Sequence, residues 1–311
     1  MKTKRPQLYP TRHLKGGVDF CFKLLDRVPL MKRLIRNEDD KPSDIPVSVL
    51  MPIHYKDLWI AEHSISFLRR NLQHPIAEIV VVSARHEKIQ EWCDHEGLRW
   101  LDEAEILDWT VAEIGEALPD WATSRDGWLF QQLLKLSVNE FCVADSILIL
   151  DADTLLLKKM AFHLNGAVRL DYSHERNLLY LQTYEALLGK KPSSWMSFVT
   201  HHILMEKSVL KAMKEKIEQH SGKAWDQAII DFASSDIWSE KQKEIYPFNY
   251  FSEYEIYGNF RKSYEGKVRS RYFWNYSCRN FKADSLDVEE FVSSLPSVYS
   301  WVSFHSYNRI D

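Results

Sequence analysis

At 311 residues, 45 % apolar and 27 % charged, the chain has the make-up of a folded protein long enough to bury a sizeable core, which excludes a disordered or fibrous chain. A net charge of −4 speaks against a nucleic-acid binder over the whole surface. The four cysteines, Cys21, Cys93, Cys142 and Cys278, stand far apart without a C-x-x-C, so they signal neither a disulfide framework nor a zinc site.

The overall balance hides an asymmetry. Residues 1–36 hold ten Lys and Arg against Asp19 and Asp26, an excess of +8. A partly helical pattern at Val18, Phe22 and Leu25, broken by Pro29, runs through the same stretch. Residues 1–45 are therefore expected to form a basic N-terminal extension that touches an anionic membrane peripherally. A helix packed on the main domain with solvated lysines accounts for the pattern equally well. No secretory leader opens the chain, and no run approaches the ~18 apolar residues of a membrane span, so a cytoplasmic protein is expected.

Residues 46–311 read as one domain, in which the stretch up to Thr154 alternates strands and helices. Val47 to Ile53 is a predicted strand, closed by Pro52 and followed by polar His54 and Tyr55. A helix over Ala61–Leu72, a buried strand at Ile79–Val82, a helix around Ile89–His95 and a short strand at Leu98–Leu101 follow. This alternation predicts an α/β fold with a mostly parallel, Rossmann-type sheet flanked by helices. Between Asp126 and Phe141, apolar residues at Phe130, Leu133, Leu134, Val138 and Phe141 keep helical spacing, and Trp128, Gln131 and Lys135 make a second stripe.

The sequence then runs through Ser146-Ile-Leu-Ile-Leu-Asp-Ala-Asp-Thr154. Four apolar residues in unbroken succession predict a strand buried on both faces, and the carboxylates mark where it leaves the core. Ligands bind at the carboxyl ends of strands in open α/β sheets. Side chains two apart on extended backbone point the same way, so Asp151 and Asp153 can reach one cation together. As hard oxygen ligands they suit Mg²⁺ or Mn²⁺ holding a diphosphate. Acidic residues also occur at strand ends simply as turn formers.

After the acidic pair, residues 155–311 are irregular. Met196–Val199 is a predicted strand ending at Thr200, His201 and His202; Val209–Ile217 and Trp225–Phe232 are predicted helices. Tyr250–Gly258 looks like a helix start, and Arg271–Tyr276 and Val298–Phe304 are late strands, the last running into His305.

Strand-helix units followed by Asp126-Gly-Trp-Leu-Phe-Gln-Gln-Leu-Leu-Lys135 and Leu148-Ile-Leu-Asp-Ala-Asp-Thr154 resemble the GT-A fold glycosyltransferases. The later Ser197-Phe-Val-Thr-His-His202 and Phe251-Ser-Glu-Tyr-Glu-Ile-Tyr-Gly258 are similar to a bacterial family of uncharacterised transferases. The resemblance covers roughly residues 46–308. It implies a nucleotide-binding half at 46–154 and an acceptor-binding half at 155–311, with a nucleotide-sugar donor and a glycan or glycolipid acceptor. It further implies Asp151 near ribose and metal, Asp153 on the metal, and His305 as a third ligand; a core or solvent-facing histidine explains His305 equally well. Pro52, His54, Tyr55 and Ser83 would grip the base. Gln131 and Lys135, one helical turn apart, would reach donor phosphate or sugar, unless they are a solvated helix face.

An inverting transferase needs a carboxylate to take the proton of the attacking hydroxyl. Inversion is favoured slightly over retention, and Glu253 is the first candidate. Glu255 also qualifies, although Ser252-x-x-Glu255 is a capping box that would explain it alone. Asp226 is a rival that a helix N-cap would explain. His201 and His202 border the expected acceptor cleft, or are hydrogen-bonded structural histidines. The implied setting is synthesis of a bacterial cell-surface polysaccharide or lipopolysaccharide at the inner face of a membrane.

Three other readings compete. A haloacid-dehalogenase-type phosphatase also carries an apolar strand into D-x-D-x-T, with Asp151 as nucleophile; three preceding β/α units and the lack of a later aspartate pair at a strand end count against it. A nucleotidyltransferase lacks here the glycine-rich loop after Ile53. A carbohydrate-binding module would explain the aromatics but not the acidic pair.

Overall fold

The computed structural model describes residues 41–120, 125–173, 175, 177–194, 196–234, 250–305 and 308–309. The basic segment 1–36 lies outside the described residues.

β1 (Val47–Pro52) is buried along its whole length. It is followed by α1 (Leu58–Asn71), β2 (Ile76–Ser83), α2 (Glu87–Glu96) and β3 (Arg99–Asp102). Thr110 and Glu113 close a capping box on α3 (Val111–Ala117), satisfying two backbone donors that a helix start leaves open. The long helix expected at 126–141 is two helices, α4 (Asp126–Leu136) and α5 (Val138–Phe141). The break lies at Ser137, whose Oγ donates to the Leu133 carbonyl at 3.1 Å, a back-bond that bends helices. β4 (Ser146–Leu150) is buried throughout.

These strands form one sheet in the order β3-β2-β1-β4, all parallel, and β8 (His202–Glu206) adds antiparallel to β4. This is the mostly parallel α/β architecture expected from the alternation. Parallelism puts the carboxyl ends of β1 to β4 on one edge. Because β8 runs the other way, its first residue, His202, lies opposite Leu150, and the Asp151 N–H donates to the His201 carbonyl at 2.9 Å.

The strand expected at Met196–Val199 is a correction. There the backbone makes only an isolated bridge between Ser173 and Ser197, and the strand proper begins at His202. The apolar run Ile203-Leu-Met205 is what fills the sheet core, and β4 offers its free edge to it.

Two small sheets build the rest. β5 (Thr154–Leu156) pairs with β11 (Trp301–Ser303), which pairs with β10 (Asn275–Ser277). A satellite core of Leu155, Val302, Phe304, Phe281 and Val288 packs Ile60 and Phe67 of α1 against this sheet. The second sheet joins β6 (His163–Leu164), β7 (Ala167–Tyr172) and β9 (Lys267–Tyr272). α6 (Leu178–Leu188), α7 (Lys207–Ser221), α8 (Trp225–Ala233) and α9 (Glu253–Ser263) pack mutually around β8, and α10 (Val288–Ser294) lies against the small core.

A buried polar knot ties these parts together. The Asp171 carboxylate on β7 accepts from Arg169 Nε at 2.6 Å and meets His202 Nε2 at 3.1 Å. His202 Nδ1 lies 2.8 Å from the Thr200 carbonyl, and its ring stacks on Trp301 at 3.8 Å. One histidine thus joins the main sheet to both small ones. Cys93, Cys142 and Cys278 are free and buried; burial pushes the Cys93 and Cys142 thiols up to about 12.

Candidate active site

The carboxyl-terminal edge of the main sheet gathers residues from five parts of the chain. β4 ends at Leu150 and delivers Asp151 and Asp153, whose side chains are 24 % and 21 % exposed. The register of β11 against β5 sets Ser303 opposite Thr154. The Phe304 N–H then donates to the Asp153 carbonyl at 2.8 Å, and His305 Nδ1 comes to 2.9 Å from Asp153 Oδ2.

Asp151 is held from both sides. Oδ1 accepts from Lys135 Nζ at 2.6 Å and from the Tyr254 hydroxyl at 2.8 Å. Oδ2 faces His201 Nδ1 at 3.4 Å. The Lys135 ammonium also reaches Glu253 Oε1 at 2.8 Å and the Tyr254 hydroxyl at 3.2 Å. Helices α4 and α9 therefore meet β4 through one buried cation. The Gln132 amide lies against the same Glu253 carboxylate.

The electrostatics follow from burial and from one cation serving two acids. Burial pushes the Asp151 carboxyl up, but the Lys135 ammonium and His201 outweigh it and hold the group well below the usual carboxylate range. Burial opposes the Lys135 charge too, and Asp151 and Glu253 more than restore it. Glu253 is raised by burial and by the Asp151 charge despite its ion pair with Lys135. His201 is raised because Asp151 outweighs the cost of burial. Asp57 is pushed up to about 6 by burial and then by the nearby Asp153 charge.

Among the described residues, no three His, Cys, Asp or Glu side chains already converge on one cation position. Neighbouring ligands of an octahedral ion at 2.0–2.1 Å sit about 3 Å apart, and the Asp153–His305 spacing of 2.9 Å matches that. Carboxylate oxygens with one imidazole suit Mn²⁺ or Mg²⁺ by their chemistry. A bound ion would replace hydrogen bonds that these side chains now make to one another.

The other expected residues fall into two groups. Pro52 ends β1, and the 3-10 turn Tyr55–Asp57 follows, with His54 accepting from the Lys56 N–H at 3.2 Å. Tyr55 is 39 % exposed and its ring stacks on His86 at 3.8 Å. Ser83, at the end of β2, is buried, donating to the Ala84 carbonyl and accepting from Trp100 Nε1. Gln131 is half-buried on α4, one turn before Lys135.

Glu253, Glu255, His202 and Asp226 are placed differently. Glu253 is 1 % exposed and ion-paired, so an acceptor hydroxyl does not reach it directly in this conformation. The Glu255 carboxylate is buried and accepts from Ser197 Oγ, the Phe198 N–H and Asn259 Nδ2. It holds the 197–198 segment to α9, while Ser252 caps the helix by accepting from the Glu255 N–H. His202 belongs to the Asp171 knot. Asp226 accepts from Trp109 Nε1 at 2.9 Å and from the Gln227 N–H, which ties α8 to the segment before α3 and not to Asp151.

Sequence reasoning missed Tyr254 and Asp57. Tyr254 stands between the two glutamates it singled out, so a helical projection with Glu253 facing Lys135 would have brought it in. Asp57 comes under the Asp153 charge through the turn after β1; Pro52 and the polar residues after it signal that turn, but not which of them faces the acidic pair.

A protein family described as Family of unknown function (DUF6492) matches residues 65–306. No curated protein matches the sequence. Among solved structures, mouse xyloside xylosyltransferase 1 in its apo form superposes with TM-score 0.44 and 12 % identity, over 86 % of this chain and 100 % of that one. The galactosyltransferase LgtC, in complex with donor and acceptor sugar analogs, gives 0.43 and 11 %, over 83 % and 87 %. The glycosyltransferase GlyE of Streptococcus pneumoniae TIGR4 gives 0.30 and 13 %, over 63 % and 45 %. At such identities and scores these likenesses assign no activity to this chain.

Proposed function

We propose that the chain, which belongs to the DUF6492 family, transfers a sugar from a nucleotide-sugar donor to a glycan or glycolipid acceptor with the help of Mn²⁺ or Mg²⁺. The observation that carries this reading is the gathering of Asp151, Asp153, His201 and His305 at the carboxyl ends of parallel strands, where ligands of such sheets bind. A hard divalent ion bound at this edge would neutralise the charge that develops as a nucleoside diphosphate departs. Asp153 and His305 would hold it. Lys135 keeps Asp151 ionised and, with Tyr254, fixes its orientation. Tyr55, part-exposed with its ring stacked on His86, stands beside the end of β1, where it would meet the base.

Glu253 is assigned here to holding Lys135 and not to taking a proton from the acceptor, because its carboxylate is enclosed. The stereochemical outcome is then read from the product's anomeric configuration by NMR. The cell-surface acceptor, the cytoplasmic setting and a membrane contact through residues 1–36 complete the proposal. No helix among the described residues is long and apolar enough to cross a membrane.

The test is thermal stabilisation by UDP, GDP and CMP and their sugars, each with Mn²⁺ and with EDTA. Selective, metal-dependent stabilisation by one nucleotide is the expected result. Turnover of a simple phosphate ester, abolished in Asp151→Asn, would replace this reading with the phosphatase.

A further inference from the structure

His201 sits in the left-handed backbone region, with φ of 58°. The other described residues at positive φ are five glycines and the asparagines Asn165 and Asn280, the residue types that adopt this conformation at least cost. The turn itself has a structural reason. Thr200 Oγ1 donates to the His202 carbonyl at 2.7 Å, the His201 carbonyl accepts from the Asp151 N–H, and the chain must reverse into β8. Glycine meets that requirement at least cost, and asparagine, aspartate and histidine are the other residues found there most often. The turn tolerates an imidazole without requiring one.

The side chain supplies what the backbone does not explain. The His201 imidazole has Nδ1 at 3.4 Å from Asp151 Oδ2 and its ring centroid 4.6 Å from that of His305. It is 21 % exposed, unlike its enclosed neighbour His202. His201 therefore stands between the two arms of the cation site, one delivered by β4 and the other by β11. Strained residues persist where the surrounding structure over-determines them, and they cluster at functional sites.

We propose that His201 is a positioning residue of the cation–diphosphate site, holding Asp151 and His305 in register, and that its unfavourable backbone is kept for that purpose. This rests on the glycosyl-transfer reading only for the identity of the diphosphate. Groups that orient metal ligands typically change metal affinity about 10–100-fold when removed. A residue kept only for the turn would instead show its loss in stability.

The experiment compares the full-length wild type with His201→Gly and His201→Asn, both compatible with a left-handed backbone. Melting temperature is measured without ligand, Mn²⁺ affinity by the EPR signal of free ion, and affinity for UDP, GDP and CDP with Mn²⁺ by calorimetry. His201→Gly is expected to melt within a few degrees of the wild type while Mn²⁺ affinity falls about tenfold or more. His201→Asn, which keeps a donor towards Asp151, recovers part of it. Unchanged Mn²⁺ affinity in both variants overturns the proposal, whatever the melting temperature. So does a loss of affinity that only tracks a lowered melting temperature, and so does a wild type that binds no Mn²⁺. A wild type that binds Mn²⁺ but no nucleoside diphosphate sinks the transfer reading and leaves the His201 comparison standing.

Discussion

Two aspartates in this molecule carry nearly the same partners. Asp171 meets a cation, Arg169, and a histidine, His202; Asp151 meets a cation, Lys135, and a histidine, His201. The two histidines are consecutive, yet they serve opposite clusters: His201 stands in the turn and His202 opens the strand. What separates the clusters is access. The Asp171 side chain is 0 % exposed and Asp151 is 24 % exposed. An enclosed, fully bonded cluster fixes how elements dock, while an open one retains faces that a ligand can occupy. Burial shifts the enclosed His202 down, despite Asp171 beside it, while Asp151 draws His201 up. Residue type alone does not separate the enclosed cluster from the open one.

The sharpest way to break this comparison is to remove each aspartate. Asp171→Ala leaves Arg169 and His202 facing a buried void, and loss of one partner of a buried pair costs about 3–5 kcal/mol. Urea unfolding should show that loss or a failure to fold. Asp153→Ala, at the open edge, should leave the melting temperature near the wild-type value. Under the proposed transfer its cost is expected in nucleotide-sugar turnover, on the order of 100-fold, or about 2.7 kcal/mol. If Asp153→Ala unfolds the protein, or Asp171→Ala leaves stability intact, the division between the clusters is wrong.

Smaller effects sharpen it. Gly258 on α9 packs so closely on Phe198 that an added Cβ would fall 2.6 Å from the Phe198 Cβ. Gly258→Ala must shift the helix that carries Glu253 and Tyr254 or the segment that leads to His201. A loss of about 1–3 kcal/mol in unfolding free energy is expected.

The pH dependence should be gentler. His74, His163 and His202 are all held below the ordinary imidazole value, in each case first by burial. The unfolded imidazoles therefore bind protons at a pH where the folded ones do not, and stability rises with pH across that interval. Their contribution is complete above about 6.5 and is lost as pH falls below it. The raised Asp57 and His201 work the other way over the same interval. The histidine contribution is therefore read as the difference between wild type and His163→Gln in how far the denaturant midpoint falls from pH 7.5 to 5.5. A wild type that falls no further than the variant would contradict the assigned direction.

Several of these features are legible in the sequence alone. The unbroken apolar runs at Val49–Met51, Ile79–Val82 and Ile147–Leu150 correspond to strands buried on both faces, and two acids at the end of the last run mark the sheet edge. Helix α9 was legible from Ser252 and Glu255, although the Glu255 carboxylate turned out to hold the 197–198 segment. The strand at His202–Glu206 was misplaced because its apolar residues show no period that sets a boundary. The sequence's stripe of Gln131 and Lys135 suggested a solvated face or a ligand contact; the helix buries Lys135 and half-buries Gln131.

The amino-acid order alone determined the local matters: where strands and helices form, since periodicity and caps act within a few residues, and that two carboxylates leave a buried strand side by side. Tertiary structure decided which groups meet. Lys135, Asp151, His201 and Glu253 are brought together across 118 positions of sequence, and His305 reaches Asp153 only through the pairing of β11 with β5. Exposure, and with it the difference between Asp171 and Asp151, is a property of the whole packed chain. No local pattern encodes it.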